Sequence, residues 1–197
     1  PFTSRQYEAK LYEHLQVLFG EWVKVPMPNN FNSPMFDAAN ICKFGDKLLF
    51  LESNTGNKAG AKLLQNIVGN AYEVIVWEDV YAHAHIDSTI ISLDQNTILL
   101  NGSRVTESNL PKFLKGYKKI FLDDIEEQVF HKFPYASKWI GMNILSIDPE
   151  TVIVDPFYKK LVALLKQNHY NVIEAPLTHA RTIGGGWHCM TCDLERL

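Results

Sequence analysis

Cysteine is scarce in this chain, and so are long apolar runs and any surplus of charge. Three cysteines in 197 residues, Cys42, Cys189 and Cys192, are too few and odd in number for a disulfide framework, so a reduced, cytoplasm-like compartment is expected. No apolar stretch approaches the ~20 residues of a membrane-spanning helix, and no signal-peptide pattern opens the chain. No membrane partner is therefore expected. The 19 Lys and Arg against 22 Asp and Glu leave a net charge of −3, and the basic residues are dispersed. That leaves no patch suited to a phosphate backbone, which argues against nucleic acid as a partner. The spacings GxxxxGK[ST] and GxGxxG are missing too, so no nucleotide cradle is expected.

With 46% hydrophobic residues the chain can bury a core, and residues 1–197 are read as one domain. Its middle consists of three copies of one unit, strand–turn–strand–helix–strand. The first runs Asn40–Phe44, Lys47–Glu52, Ala59–Val68 and Tyr72–Trp77. The second runs Thr89–Leu93, Thr97–Leu100, a short helix Asn109–Gly116 and Lys119–Leu122. The third runs Asn143–Ile147, Thr151–Val154, Tyr158–Asn168 and Asn171–Glu174. The strands are rich in Val, Ile and Leu, and an Asp favours each hairpin turn, at 46, 94 and 148.

Ahead of these, Arg5–Leu18 reads as a helix and Glu21–Val25 as a strand, which is the second half of the same unit. The chain opens at Pro1 without a methionine, so a fragment, a reduced form or one part of an assembly is expected. A ring interrupted there would leave strand edges open, and pairing with another copy or another chain follows.

Residues able to do chemistry cluster between the units. Asp37 precedes the first, His85 and Asp87 the second, Ser137-Lys138-Trp139 the third, and Cys189 follows the last strand. Units arranged about an axis would bring these connections into one cleft. In an extended segment His85 and Asp87 would project from the same face. His83-x-His85 has the spacing of a metal pair, but no further ligands stand at recognisable spacing, and no metal is expected. Gly184-Gly185-Gly186 lets the backbone press close to a ligand just before Cys189. Cysteine, histidine and carboxylates together are the parts of nucleophilic thiol catalysis. Each has a plainer reading. Asp37 can cap a turn, Arg104 after Asn101-Gly102-Ser103 can be a solvated turn arginine, and Cys192 can be a small buried apolar residue.

Taken in order, four segments resemble the amidinotransferases typified by glycine amidinotransferase, within the guanidino-modifying superfamily. They are Phe36-Asp37-Ala38-Ala39, His85-Ile86-Asp87-Ser88-Thr89, Ser137-Lys138-Trp139 with Met142-Asn143, and Gly184-Gly185-Gly186-Trp187-His188-Cys189-Met190-Thr191-Cys192-Asp193. The resemblance covers about Phe36 to Arg196, and the family's N-terminal portion has no match before it. It implies an α/β-propeller of pseudo-symmetric ββαβ repeats. It also implies transfer of the amidino group of arginine to a glycine-like acceptor amine, with no cofactor. Carried over position by position, Cys189 resembles the nucleophile and His85 the general acid and base. Asp37 resembles the partner of that histidine, and Asp87 the binder of the guanidinium. Arg104 and Ser137 resemble contacts for the amino-acid end of the substrate. Ala84 stands where glycine-using members carry methionine, which implies a roomier acceptor pocket. A hydrolase forming citrulline, or a relative that binds arginine without turnover, are the alternatives.

Overall fold

The computed structural model describes residues 32–128 and 135–191, with single positions at 14, 17, 23, 25 and 30. The helix expected over Arg5–Leu18 and the strand over Glu21–Val25 fall where only those single positions are described. Cys192 lies outside the described residues.

Three units of the same topology follow one another. The first is β1 (Ile41–Phe44), β2 (Lys47–Leu51), helix α1 (Lys58–Val68) and β3 (Glu73–Trp77). The second is β4 (Ile90–Ser92), β5 (Thr97–Asn101), a 3-10 turn at Lys112–Leu114 and β6 (Lys118–Leu122). The third is β7 (Leu145–Ser146), β8 (Thr151–Val154), α2 (Lys159–Gln167) and β9 (Asn171–Glu174), after which a short helix α3 spans Ala180–Ile183. Each unit makes its own three-stranded sheet, ordered β1-β2-β3, β4-β5-β6 and β7-β8-β9. In each, the first two strands pair antiparallel through a tight turn, and the last two pair parallel across the helical or 3-10 crossover that a parallel pair requires.

Local chemistry explains the turns. Gly45 takes a left-handed φ of 58° between β1 and β2. The side chains of Asp94 and Asp148 each accept a backbone N–H two residues on, from Asn96 at 2.7 Å and Glu150 at 2.8 Å. Asn57 caps α1 by accepting the Gly60 N–H at 2.8 Å.

Two expectations are corrected. The segment Asn109–Gly116 is not an α-helix; only Lys112–Leu114 winds, as a 3-10 turn behind Pro111. So short a stretch cannot offset the cost of nucleating a helix. Nor is the segment around His85 and Asp87 extended, since Ile86–Ser88 is a 3-10 turn.

The chain divides into two compact units, Pro1–Ile86 and Asp87–Leu197. In the former, Phe50, Ala61 and Leu64 form the apolar centre between sheet and helix. In the latter, the second and third repeats share one core. Leu99, Ile120 and Leu122 from one and Val152, Val154, Leu161 and Leu165 from the other are all buried within it. Burying such side chains contributes roughly 1.5–3 kcal/mol each, which holds these two repeats together.

The residue that opens each repeat is polar and buried. Asn40 and Thr89 are wholly enclosed and Asn143 nearly so, each at or just beyond the end of a 3-10 turn. A buried polar side chain must be hydrogen-bonded to be tolerated. The partners of these three residues build the candidate site.

Candidate active site

In the first compact unit, Asp37 caps the turn Ala38–Asn40. Its Oδ1 accepts the Ala39 N–H at 3.3 Å, while the Asn40 side chain accepts the Asp37 N–H at 3.1 Å. The other carboxylate oxygen is 3.5 Å from Nε2 of His85, and both side chains are about a quarter exposed. One carboxylate oxygen thus serves the plain reading of Asp37 as a cap, and the other faces the His85 ring. Asn40 fixes the approach to His85. Its amide donates to the Ala84 carbonyl at 3.2 Å and to Ser53 Oγ at 2.8 Å, and Ser53 Oγ donates to the same Ala84 carbonyl at 2.8 Å.

In the second compact unit, three connections meet. Asp87 arrives from the turn before β4, Asn143 from the turn before β7, and Cys189 from the turn after α3. The Asn143 amide donates to Oδ2 of Asp87 at 2.5 Å and to the Cys189 sulfur at 3.2 Å. The Asn143 Oδ1 accepts the Cys189 N–H at 2.9 Å. The sulfur itself is 3.6 Å from Asp87 Oδ2. His188 Nδ1 stands 3.9 Å from the same carboxylate oxygen, with its ring largely exposed.

The glycine triplet has three separate tasks. Gly184 ends α3 in the left-handed conformation, with φ 77°. Gly185 passes Cys189. Gly186 is pressed against Asn143, where a Cβ would stand 2.6 Å from both Cβ and O of that residue. The close backbone approach expected of the triplet is thus made toward Asn143. The turn that follows is anchored by the Trp187 indole N–H on the Ala175 carbonyl at 3.1 Å and by Thr191 Oγ1 on the His188 carbonyl at 3.0 Å.

Burial raises the thiol of Cys189 to about 11, and the negative charge of Asp87 pushes the same way. The Gly186 backbone and the Asn143 amide act against this by hydrogen-bonding to the sulfur. At neutral pH the thiol is accordingly held on its protonated side.

Arg104 lies against the same turn as Asp87. Its Nη1 donates to the Ser88 carbonyl at 2.9 Å, to Ser88 Oγ at 2.8 Å and to Thr89 Oγ1 at 3.0 Å. Ser137 is exposed at the start of the Lys138–Met142 turn and makes no side-chain capping bond there. Among the described residues, no group of three or more His, Cys, Asp or Glu is gathered to hold a metal ion. No helix among them is long and apolar enough to cross a membrane.

Sequence reasoning assigned no part to Asn143 or His188. Both stand inside segments it singled out, and the parallel between Asn40 and Asn143 at the head of two repeats was the signal available for the former.

No protein-family model matches the chain. It is 43% identical over 164 residues to inosamine-phosphate amidinotransferase 1 of Streptomyces griseus, a match covering 83% of this chain and 47% of that protein. It is 30% identical over 164 residues to the L-arginine:L-lysine amidinotransferase of Pseudomonas savastanoi pv. phaseolicola, covering 83% of this chain and 45% of the other. The solved inosamine-phosphate amidinotransferase from Streptomyces griseus superposes with a TM-score of 0.93 at 36% identity, over 99% of this chain and 62% of that one. The chain thus spans about half the length of the curated relatives it matches.

Proposed function

Because the chain belongs to the amidinotransferase family, we propose that it moves the amidino group of L-arginine to an acceptor amine, carrying it on Cys189 between the two half-reactions. The observation that supports this most directly is the mutual contact of the Cys189 thiol, the Asn143 amide and the Asp87 carboxylate.

Asp87 is the guanidinium binder. A carboxylate holds that planar cation by paired hydrogen bonds. From Asp87 the cation's central carbon comes within reach of a sulfur 3.6 Å from the carboxylate. Burial and the charge of Asp87 together hold the thiol up near 11; the arriving cation offsets the second, and the thiol releases its proton to solvent as the thiolate forms beside its target. The thiolate then adds to the guanidinium carbon. The carbon–nitrogen bond to the ornithine side chain breaks, and His85 gives the departing amine its proton. Asp37, 3.5 Å from Nε2, orients the ring and stabilises the imidazolium. In the second half His85 takes a proton from the acceptor amine, its nitrogen adds to the amidino carbon, and the carbon–sulfur bond breaks to return the thiolate. Arg104 and Ser137 are assigned to the amino-acid end of the substrate. No cofactor enters the scheme.

The acceptor is assigned to the inosamine-phosphate class ahead of glycine. Relatives named for that acceptor are 39–43% identical, and Ala84 leaves more room than the methionine of glycine-using members. The scaffold is proposed to be part of an α/β-propeller, which the identical strand order of the three sheets supports.

Incubation with L-arginine, with and without an inosamine phosphate or glycine, tests the reading. Ornithine, a guanidinylated amine and an amidino mass increment on the Cys189 peptide are expected, and Cys189→Ser removes the increment. Citrulline as the product would replace transfer by hydrolysis. An adduct on Cys192, or neither product nor adduct, would overturn the mechanism.

A further inference from the structure

The geometry points to Asn143 as a positioning residue that allows a thiolate to form on Cys189 beside the Asp87 carboxylate. The inference deepens the thiol-transfer reading above and rests on it for its purpose.

A carboxamide has two N–H donors and one carbonyl acceptor, and Asn143 spends all three on the two groups concerned. One hydrogen goes to Asp87 Oδ2 at 2.5 Å and the other to Cys189 Sγ at 3.2 Å, while Oδ1 accepts the Cys189 N–H at 2.9 Å. The alternative amide orientation would set N–H against N–H and oxygen against both anionic groups. The network therefore fixes which way the side chain points.

Its main chain is committed as well. The Asn143 carbonyl accepts the His188 N–H at 3.3 Å, and its N–H donates to the Ile140 carbonyl at 2.9 Å. Gly186 is packed onto it from above, too close for any side chain. The residue is 2% exposed, so water does not compete for these bonds.

Two anions 3.6 Å apart repel each other, and on the buried Asp87 side of the pair little water screens them. The amide places a donor on each, and hydrogen bonds to the charged form favour that form. Asn40, which opens the first repeat at the equivalent point, turns the same functional group inward to Ala84, Ser53 and Leu51. Only the third repeat turns its opening amide onto the reacting pair.

The test is the pH dependence of Cys189 alkylation by iodoacetamide, read by mass on the Cys189 peptide. It needs no turnover, so it answers even if the protein proves inert to arginine, an outcome that would count against amidino transfer alone. Asn143→Leu keeps the shape and removes the donors; Asn143→Ser keeps a single donor. With folding checked by circular dichroism, the midpoint for Asn143→Leu is expected to move to higher pH, with alkylation slowed about tenfold at a fixed pH below it, and Asn143→Ser to fall between. In an Asp87→Asn background the same substitution should cost less, because one of the two charges is gone. If the protein turns over, kcat should fall by about 10²-fold with a smaller change in KM. Folded variants with the wild-type midpoint would overturn the proposal. So would failure of both variants to fold, since Asn143 would then be purely structural.

Discussion

The Cys189 sulfur lies 3.6 Å from Oδ2 of Asp87, so the group proposed to attack and the group proposed to hold the cation share one local field. A bare carboxylate there opposes a thiolate; a carboxylate already engaged by a cation does not. On the proposed mechanism the pair would be quiet without substrate and reactive with it, a useful property for a thiol that reaches solvent.

The first prediction concerns this field. Burial and Asp87 hold the thiol up near 11, so in the free protein alkylation of Cys189 should be slow at neutral pH and climb toward that value. Replacing Asp87 by Asn removes a charge that raises the thiol pKa, so the profile must move to lower pH. At neutral pH the rate should then increase about tenfold, the change in thiolate fraction given by one pKa unit. The same variant should bind arginine poorly. A slower rate in Asp87→Asn would contradict the assignment.

Asp37 serves a turn and a histidine with different oxygens, and two substitutions separate these tasks. Asp37→Asn keeps an acceptor for the Ala39 N–H but presents no charge to His85, so kcat should fall with little change in thermal midpoint. Asp37→Ala removes the cap as well and should cost about 1 kcal/mol of stability in addition. Steady-state kinetics beside thermal denaturation decide the matter. Equal loss of stability in both variants would count against the division.

The repeat was legible because its signals are local. Val, Ile and Leu runs bounded by Asp94 and Asp148 produced strands whose ends agree to within a residue or two, as with Thr97–Leu100 against the observed Thr97–Asn101. The Asn109–Gly116 segment misled because apolar spacing says nothing of length, and only Lys112–Leu114 winds before β6 begins at Lys118. The conformation at Asp87 was not legible either. The Ser88 carbonyl is held by Asn101 Nδ2 at 2.9 Å and by Arg104, partners that come from the far end of β5. Asn143 shows the limit most plainly. Its meaning depends on Cys189, 46 positions away, and Asp87, 56 positions away, and an isolated asparagine carries no mark of either.

Arg104 is expected to act through its fork as much as its charge. Nη1 alone makes three hydrogen bonds to Ser88 and Thr89, which follow Asp87 directly. Lysine has three donors on one nitrogen, so it cannot hold this turn and also present a planar fork to a substrate carboxylate. Arg104→Lys should therefore raise KM for arginine about tenfold, comparable to the loss of one charge-assisted hydrogen bond, with a smaller fall in kcat. An unchanged KM would return Arg104 to the plain turn arginine that its sequence context suggests.

The glycine triplet offers the last prediction, because its three positions should respond differently to alanine. At Gly185 the added Cβ would stand 3.2 Å from the Cys189 Cβ, a tight contact relieved by a shift of a few tenths of an ångström. At Gly184 the added Cβ would make only an ordinary contact, 3.5 Å from Tyr135 Cβ, but its φ of 77° strains any L side chain by about 1 kcal/mol. Gly186 is the severe case. Its Cβ would stand 2.6 Å from both Cβ and O of Asn143 and 2.7 Å from Oδ1, and the main-chain atoms cannot swing aside. Overpacking of this kind costs about 1–3 kcal/mol, and here the strain falls on the residue that touches both Cys189 and Asp87. Gly186→Ala should therefore lower the thermal midpoint most of the three. It should also reduce transfer activity out of proportion to the fraction unfolded, and displace the pH profile of Cys189 alkylation as the Asn143 variants do. If Gly184→Ala proves the more damaging to activity, the backbone turn, rather than the seat of Asn143, is what the triplet protects.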